Sequence, residues 1–311
     1  MDQVRDARTD ARSTAVVRLR GVRKHYRDVD ALAGVDVDFT ENRIHGLLGR
    51  NGAGKTTLMS IVTGQAFATS GEVSVFGENP VENARVLRRV CFIREAQRYP
   101  EYFRPRDAFA AAALAFPDWD AELATELVEE FRLPLRRPIK KLSRGQLSAV
   151  GVIIGLASRA PLTFFDEPYL GLDAVARQLF YDRLLADYAA HPRTIVLSTH
   201  LIDEVADLLE HVVVIDEGRV LLDAEAEDLR GRAVCVSGPV GVVDAFAADH
   251  ELLHRETLGA YARVTVAGDP QQLLRDAERD GLTPEPVSLQ ALVVRTILNT
   301  RPTTADQGEL I

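Results

Sequence analysis

Eight residues constrain this chain more than any others: Gly49-Arg50-Asn51-Gly52-Ala53-Gly54-Lys55-Thr56, which fit GxxxxGK[ST] at every fixed position. Ahead of them Ile44-His45-Gly46-Leu47-Leu48 is short and apolar, as a buried strand is. Behind them Thr57-Leu58-Met59-Ser60-Ile61-Val62 has helical composition. Strand, glycine loop and helix in that order build a phosphate cradle. The glycines let backbone N–H groups turn inward where a Cβ would block the approach. The helix N-terminus adds its positive end. Lys55 supplies a mobile charge for the β- and γ-phosphates, and the Thr56 hydroxyl is a ligand for Mg²⁺. The loop therefore predicts a nucleoside triphosphate held by Gly49, Arg50, Asn51, Gly52, Ala53, Gly54, Lys55, Thr56 and Thr57. It does not say what the triphosphate drives.

A second feature answers the first. Leu162-Thr163-Phe164-Phe165-Asp166-Glu167 is an apolar strand ending in two acids. Adjacent carboxylates at a buried strand end are costly without a partner. A Mg²⁺–nucleotide at the carboxyl edge of a sheet is such a partner. Asp166 is then the acid on the metal side, and Glu167 is placed to take a proton from an attacking water.

Alternation marks further strands at 16–19, 35–39, 71–77, 194–198, 212–215 and 220–222. From about 105 to 159 the chain turns Ala- and Leu-rich and predicts a helical insert, with Asp118, Asp120 and Ser143 as candidate caps. Strands separated by helices favour a parallel or mixed sheet covered by helices. After about 231 short strands at 233–236 and 262–266 alternate with helical stretches near 242–248 and 270–280. This predicts a small α+β unit over 232–300. The segments 1–14 and 301–311 are polar and are expected to be flexible tails.

Between the two features stands Leu142-Ser143-Arg144-Gly145-Gln146, which resembles the LSGGQ signature of ATP-binding cassette (ABC) proteins. Gly171-Leu172-Asp173 resembles that family's D-loop, His200 its switch histidine, and Tyr26 the aromatic residue that stacks on adenine. The pieces occur in the family's order across about residues 15–231. The resemblance implies an α/β fold of the P-loop cassette type. Its parts are a mixed sheet core, an antiparallel β subdomain and the helical subdomain at 105–159, with the α+β appendage following. It also implies ATP and Mg²⁺ as ligands, and Glu167 and His200 as the residues acting on the attacking water.

In the family the signature segment meets the γ-phosphate bound by a second cassette. The resemblance thus assigns Ser143, Gly145 and Gln146 to a partner's nucleotide, and implies an ATP-sandwiched dimer with a second copy or a close relative. Two positions depart from the family pattern. Arg144 replaces a usual glycine; it reaches a phosphate or acid across the interface, or points to solvent, with solvent slightly favoured. In the Q-loop Glu95 stands where glutamine is common and Gln97 lies two residues on; Gln97 is taken as the metal-side residue, with Glu95 the alternative.

A formal net charge of −9 argues against a general nucleic-acid binder. The longest apolar runs, 108–116 and 150–157, fall short of the roughly 20 residues that cross a bilayer. The N-terminal segment alternates acids and arginines and does not read as a signal peptide. Cys91 and Cys235 are isolated, which suggests a reducing compartment. The expectation is a transporter motor at the cytoplasmic face of the membrane, held there by a separate permease. The aromatics in 98–103 are its candidate docking surface. Pro286-Val287-Ser288-Leu289-Gln290-Ala291-Leu292 resembles the ending of exporter cassettes and favours export. The alternative is a soluble cassette acting on ribosomes or nucleic acid.

Overall fold

Burial sorts the strands into two kinds. In the computed structural model, which describes residues 14–95, 97–230 and 233–299, β1 (Ala15–Tyr26) and β2 (Val29–Thr40) mostly alternate buried and exposed residues. They pair antiparallel, and β4 (Ser70–Val75) lines the other edge of β1. By contrast β3 (Ile44–Leu48), β6 (Leu162–Asp166) and β7 (Thr194–Thr199) are buried at every residue. That is the pattern of parallel strands covered on both faces.

With β5 (Val90–Arg94), β8 (His211–Asp216) and β9 (Arg219–Glu225) they form one sheet in the order β5-β6-β7-β3-β8-β9. Only β9 runs antiparallel. Register places Leu48 beside Thr199, Asp166 beside Ser198 and Arg94 beside Asp166. The carboxyl ends of four strands are thereby brought to one edge.

One face of this sheet packs with the three-stranded sheet around α1 (Lys55–Val62), through Phe39, Leu58, Met59 and Phe164. α2 (Ala84–Leu87), capped by Asn83, closes that layer. The opposite face carries α3 (Pro105–Ala115), α4 (Ala121–Glu130), α5 (Arg144–Ala157) and α6 (Ala174–Ala190). Asp120 and Ser143 cap α4 and α5 as expected, whereas Asp118 lies in the preceding turn. Gly155 in mid-α5 has a packing reason. A Cβ there would lie 2.3 Å from Phe165 Cε1, so a side chain would push the helix off β6.

Charge also holds this layer. Buried Asp187 of α6 accepts from Arg193 at 2.5 Å and pairs with Arg159 at 3.3 Å, and Arg159 reaches Asp120 at 2.8 Å. α7 (Ile202–Val205) and α8 (Ala226–Arg230) complete the first 230 residues.

Beyond lies a four-stranded antiparallel sheet, ordered β11-β12-β10-β13. It contains β10 (Ala233–Pro239), β11 (Glu251–Leu258), β12 (Tyr261–Ala267) and β13 (Thr283–Pro286). α9 (Val240–Ala248) and α10 (Pro270–Arg279) pack on one face with Val236, Val264 and Val266. β11 and β13 were not legible in the sequence. Both are edge strands: β11 is largely exposed and lacks alternation, and β13 contains two prolines. α11 (Leu289–Asn299) then returns to the main body, placing Leu289, Val293 and Ile297 in one core with Val205, Leu209 and Leu229. The tails 1–13 and 300–311 lie outside the described residues.

Candidate functional site

Because β3 ends beside β7, the glycine loop opens at the edge where Asp166, Glu167 and His200 emerge. Residues 50–57 line a cavity of about 290 Å³ with Val29, Ala31, Glu95, Asp166 and Glu167. The loop is built for close approach. Gly49 has φ +150°, and a Cβ there would sit 2.1 Å from Ile215 O. Lys55 Nζ is buried and donates to Gly49 O (2.7 Å) and Arg50 O (3.1 Å), 3.9 Å from Glu167 Oε1. Burial lowers its pKa, and Glu167 and Asp166 oppose that shift.

The Thr56 hydroxyl donates to Asp166 Oδ2 at 2.7 Å. A hard cation takes oxygen ligands, and Mg²⁺ characteristically adds one or two carboxylates to phosphate and water oxygens. Among the described residues no group of three or more His, Cys, Asp or Glu is placed to hold a metal unaided. A hydroxyl and a carboxylate at this spacing fit a Mg²⁺ carried in with a nucleotide.

Glu167 has the sharpest geometry. Its φ is +51°, a region costly for a residue with a side chain, and its N–H donates to Ser198 O at 3.1 Å. One carboxylate oxygen, Oε2, accepts from the Tyr169 hydroxyl and lies 2.8 Å from His200 Nδ1. The other, Oε1, is buried and has no hydrogen-bond partner. The turn thus leaves one carboxylate oxygen without a hydrogen bond beside Lys55, in a residue that lines the cavity.

Tyr26 does not line this cavity. It is 46% exposed, under Lys24 Nζ at 4.6 Å, and pairs across the hairpin with Val29, which does. Glu95 lines the cavity of the loop and also, together with Gln97, a neighbouring hollow that includes Thr56 and Asp166; Gln97 Oε1 accepts from Arg94 N at 3.2 Å. Arg144 is 79% exposed at its side chain, and its guanidinium lies 3.6 Å from Glu95 of the same chain. The two departures from the family pattern therefore face each other.

Ser143, Gly145 and Gln146 lie elsewhere, lining a separate cavity with Phe131, Gly171 and Asp173. Ser143 Oγ accepts from Gln146 N, and Gln146 Oε1 accepts from Ser143 N, both at 3.2 Å. This capping box rigidifies the start of α5. Of the aromatics at 98–103, Tyr99 and Phe103 pack on the core and only Tyr102 is strongly exposed, at 78%. That corrects the expectation of an exposed aromatic cluster. Tyr169 and Thr199 were not anticipated as site residues. Their one sequence signal is position: a phenol two residues past the acid, and a hydroxyl just before the histidine.

The ABC transporter family profile matches residues 32–170. The chain is 31% identical over 260 residues to Nod factor export ATP-binding protein I of Cupriavidus metallidurans, covering 81% of this chain and 83% of that one. It is 28% identical to the bacitracin transport ATP-binding protein BcrA of Bacillus licheniformis, covering 70% and 72%. Among solved structures, an ATP-binding subunit of an ABC transporter superposes with TM-score 0.63 at 25% identity, covering 69% of this chain and 92% of that chain. A dimeric cassette with ADP and Pi superposes at TM-score 0.60 and 21% identity, over 68% of this chain and 98% of that one, a likeness of fold.

Proposed function

The chain belongs to the ABC transporter family of ATP-binding subunits, which hydrolyse ATP, and from that premise we propose that it is the motor of an exporter whose permease is a separate chain. The observation that carries the catalytic part is Oε1 of Glu167, which has no hydrogen bond and lies buried 3.9 Å from Lys55 Nζ of the phosphate loop.

In this reading Lys55 exchanges its backbone carbonyls for phosphate oxygens, and inward-facing N–H groups of 49–56 hold the β-phosphate. Thr56 and Asp166 would hold Mg²⁺, which supplies charge neutralisation on the phosphates when bound. Glu95, as a cavity-lining residue, is the better Q-loop candidate than Gln97. Glu167 orients water through Oε1 and takes its proton, with His200 beside it. Tyr26 serves adenine from the hairpin rim. Ser143, Gly145 and Gln146 face their own cavity, so they serve a nucleotide bound by a second cassette.

Export is supported by the name of the Nod factor export relative and by the exporter-like ending at 286–292, whose last four residues open α11. No helix among the described residues is long and apolar enough to cross a membrane, in keeping with a permease on another chain. Exposed Tyr102 at 98–103 is the surface we assign to it. The cassette thus works at the cytoplasmic membrane face. The acidic net charge of −9 weighs against a nucleic-acid partner.

Glu167→Gln should retain ATP affinity while slowing steady-state hydrolysis by roughly a hundredfold or more, in the range for loss of a general base. Turnover within a few-fold of wild type would remove Glu167 from its role. Lys55→Ala should instead weaken ATP binding itself by calorimetry. For the permease, Tyr102→Glu should abolish co-purification with membrane protein while leaving hydrolysis by the free subunit intact; unchanged co-purification would refute the docking surface.

A further inference from the structure

We infer that Tyr169 is a positioning residue for hydrolysis, tying one oxygen of Glu167 to the end of β7 so that the other is left free for water. The inference rests on Glu167 being the residue that acts on water, and it deepens that assignment.

Tyr169 is 2% exposed, and its ring is tilted against His200 at 5.8 Å between centroids. Its hydroxyl has one proton and two lone pairs, and four polar atoms lie within reach of it, His200 Nδ1 among them at 3.1 Å. The O–H donates to Glu167 Oε2. The oxygen accepts from the Thr199 hydroxyl at 2.9 Å and from the His200 backbone N–H at 3.2 Å. Thr199 in turn accepts from Leu201 N at 2.9 Å. The phenol is therefore a rigid strut between the strained turn after β6 and the strand end that carries the histidine. A saturated network of this kind holds geometry better than an isolated bond.

The consequence falls on one atom. Oε2 is engaged by Tyr169 and faces His200, so the carboxylate cannot rotate to exchange its oxygens without breaking the strut. Oε1 is left without a hydrogen-bond partner, 3.9 Å from Lys55 Nζ. The titratable groups around it are Lys55 of α1, Asp166 of β6 and His200 after β7, with Glu95 on the cavity wall. Of these, His200 Nδ1 meets the same oxygen as Tyr169 at 2.8 Å, so the phenol and the imidazole hold Oε2 together.

The test is a double-mutant cycle on the full chain, with ATP affinity measured for every variant. Tyr169→Phe should lower kcat about tenfold while KM for ATP stays within about twofold, because misplacing a catalytic group affects the reacting state and not ground-state binding. Placed on Glu167→Gln, Tyr169→Phe should change the residual single-turnover rate by less than about twofold, since residues acting as a unit are not additive. Wild-type kcat in Tyr169→Phe would overturn the inference, and so would losses that multiply in the double variant. Near-wild-type turnover in Glu167→Gln alone would instead remove the assignment of Glu167 beneath it.

If Tyr169→Phe fails to fold, 4-fluorophenylalanine at 169 fills the phenol's space without an O–H donor and should show the same loss of kcat. 4-Aminophenylalanine, which restores a donor, should recover most of it. Equal activity of these two variants would refute the strut.

Discussion

His45 stands on the central strand β3 with its ring sealed from solvent, between Phe39 and His211. Its Nε2 meets Thr40 O at 2.9 Å and its Nδ1 meets His211 Nδ1 at 3.3 Å, while His211 pairs with Asp223 at 2.9 Å. Burial pushes its pKa down to about 4 from 6.5, with His211 and Arg43 pressing the same way and Thr40 O and Asp223 opposing. The unfolded chain thus takes the proton first as pH drops. Stability contributed by neutral His45 is whole above pH 6.5 and is lost as pH falls towards 4, by up to about 3 kcal/mol. Denaturant unfolding across that window should show the decline, and His45→Phe should flatten it; an equally steep decline in the variant would place the proton elsewhere. Nothing in the run Ile44–Leu48 announces this. A histidine in an apolar strand has the same letter whether it is a ligand or a packed core residue.

At the scale of the element, α5 joins two tasks with opposite demands. Its C-terminal part is buried from Ala149 to Ala157 and anchors the helical layer on β5 and β6. Its N-terminus stays open, with Ser143 holding a capping box and Arg144 reaching Glu95. Ser143→Ala should therefore have separable effects. Loss of the cap should cost about 1 kcal/mol of stability. Binding of ATP to the isolated subunit should be little changed, because the phosphate loop opens into a different cavity. Turnover of the assembled dimer should fall strongly. A loss of ATP affinity in the monomer equal to that of Lys55→Ala would refute action across an interface.

At the scale of the molecule, the last 67 described residues are not strung on by a linker alone. α11 follows β13 and places Leu289, Val293 and Ile297 in the main core beside Val205 and Leu209. Val205 belongs to α7, which begins two residues after His200. Val293 is 1% exposed, so Val293→Asp would bury an unpaired carboxylate and should undock α11. Hydrogen exchange should then rise in α11 and α7 while β3, β6 and β7 stay protected. Protection of α7 equal to wild type would show that the helix is not part of its support.

The motifs singled out in the sequence are each local in the chain, which is why the sequence by itself could show them. The 49–56 loop needs glycines at set spacings, the 166–167 pair needs an apolar strand before it, and the capping box needs Ser143 and Gln146 three apart. Each requirement is met by consecutive residues. What tertiary structure alone decided are relations between distant segments. Register beside β7 brings Tyr169 to Thr199 and His200, the turn of the Q-loop sends Glu95 rather than Gln97 to the phosphate cavity, and Arg144 meets Glu95. The edge strands β11 and β13 escaped notice for the same physical reason, because pairing with β12 and β10 holds them in place where alternation or propensity would not. Contacts of that kind depend on where other strands lie, and no short stretch of sequence records it.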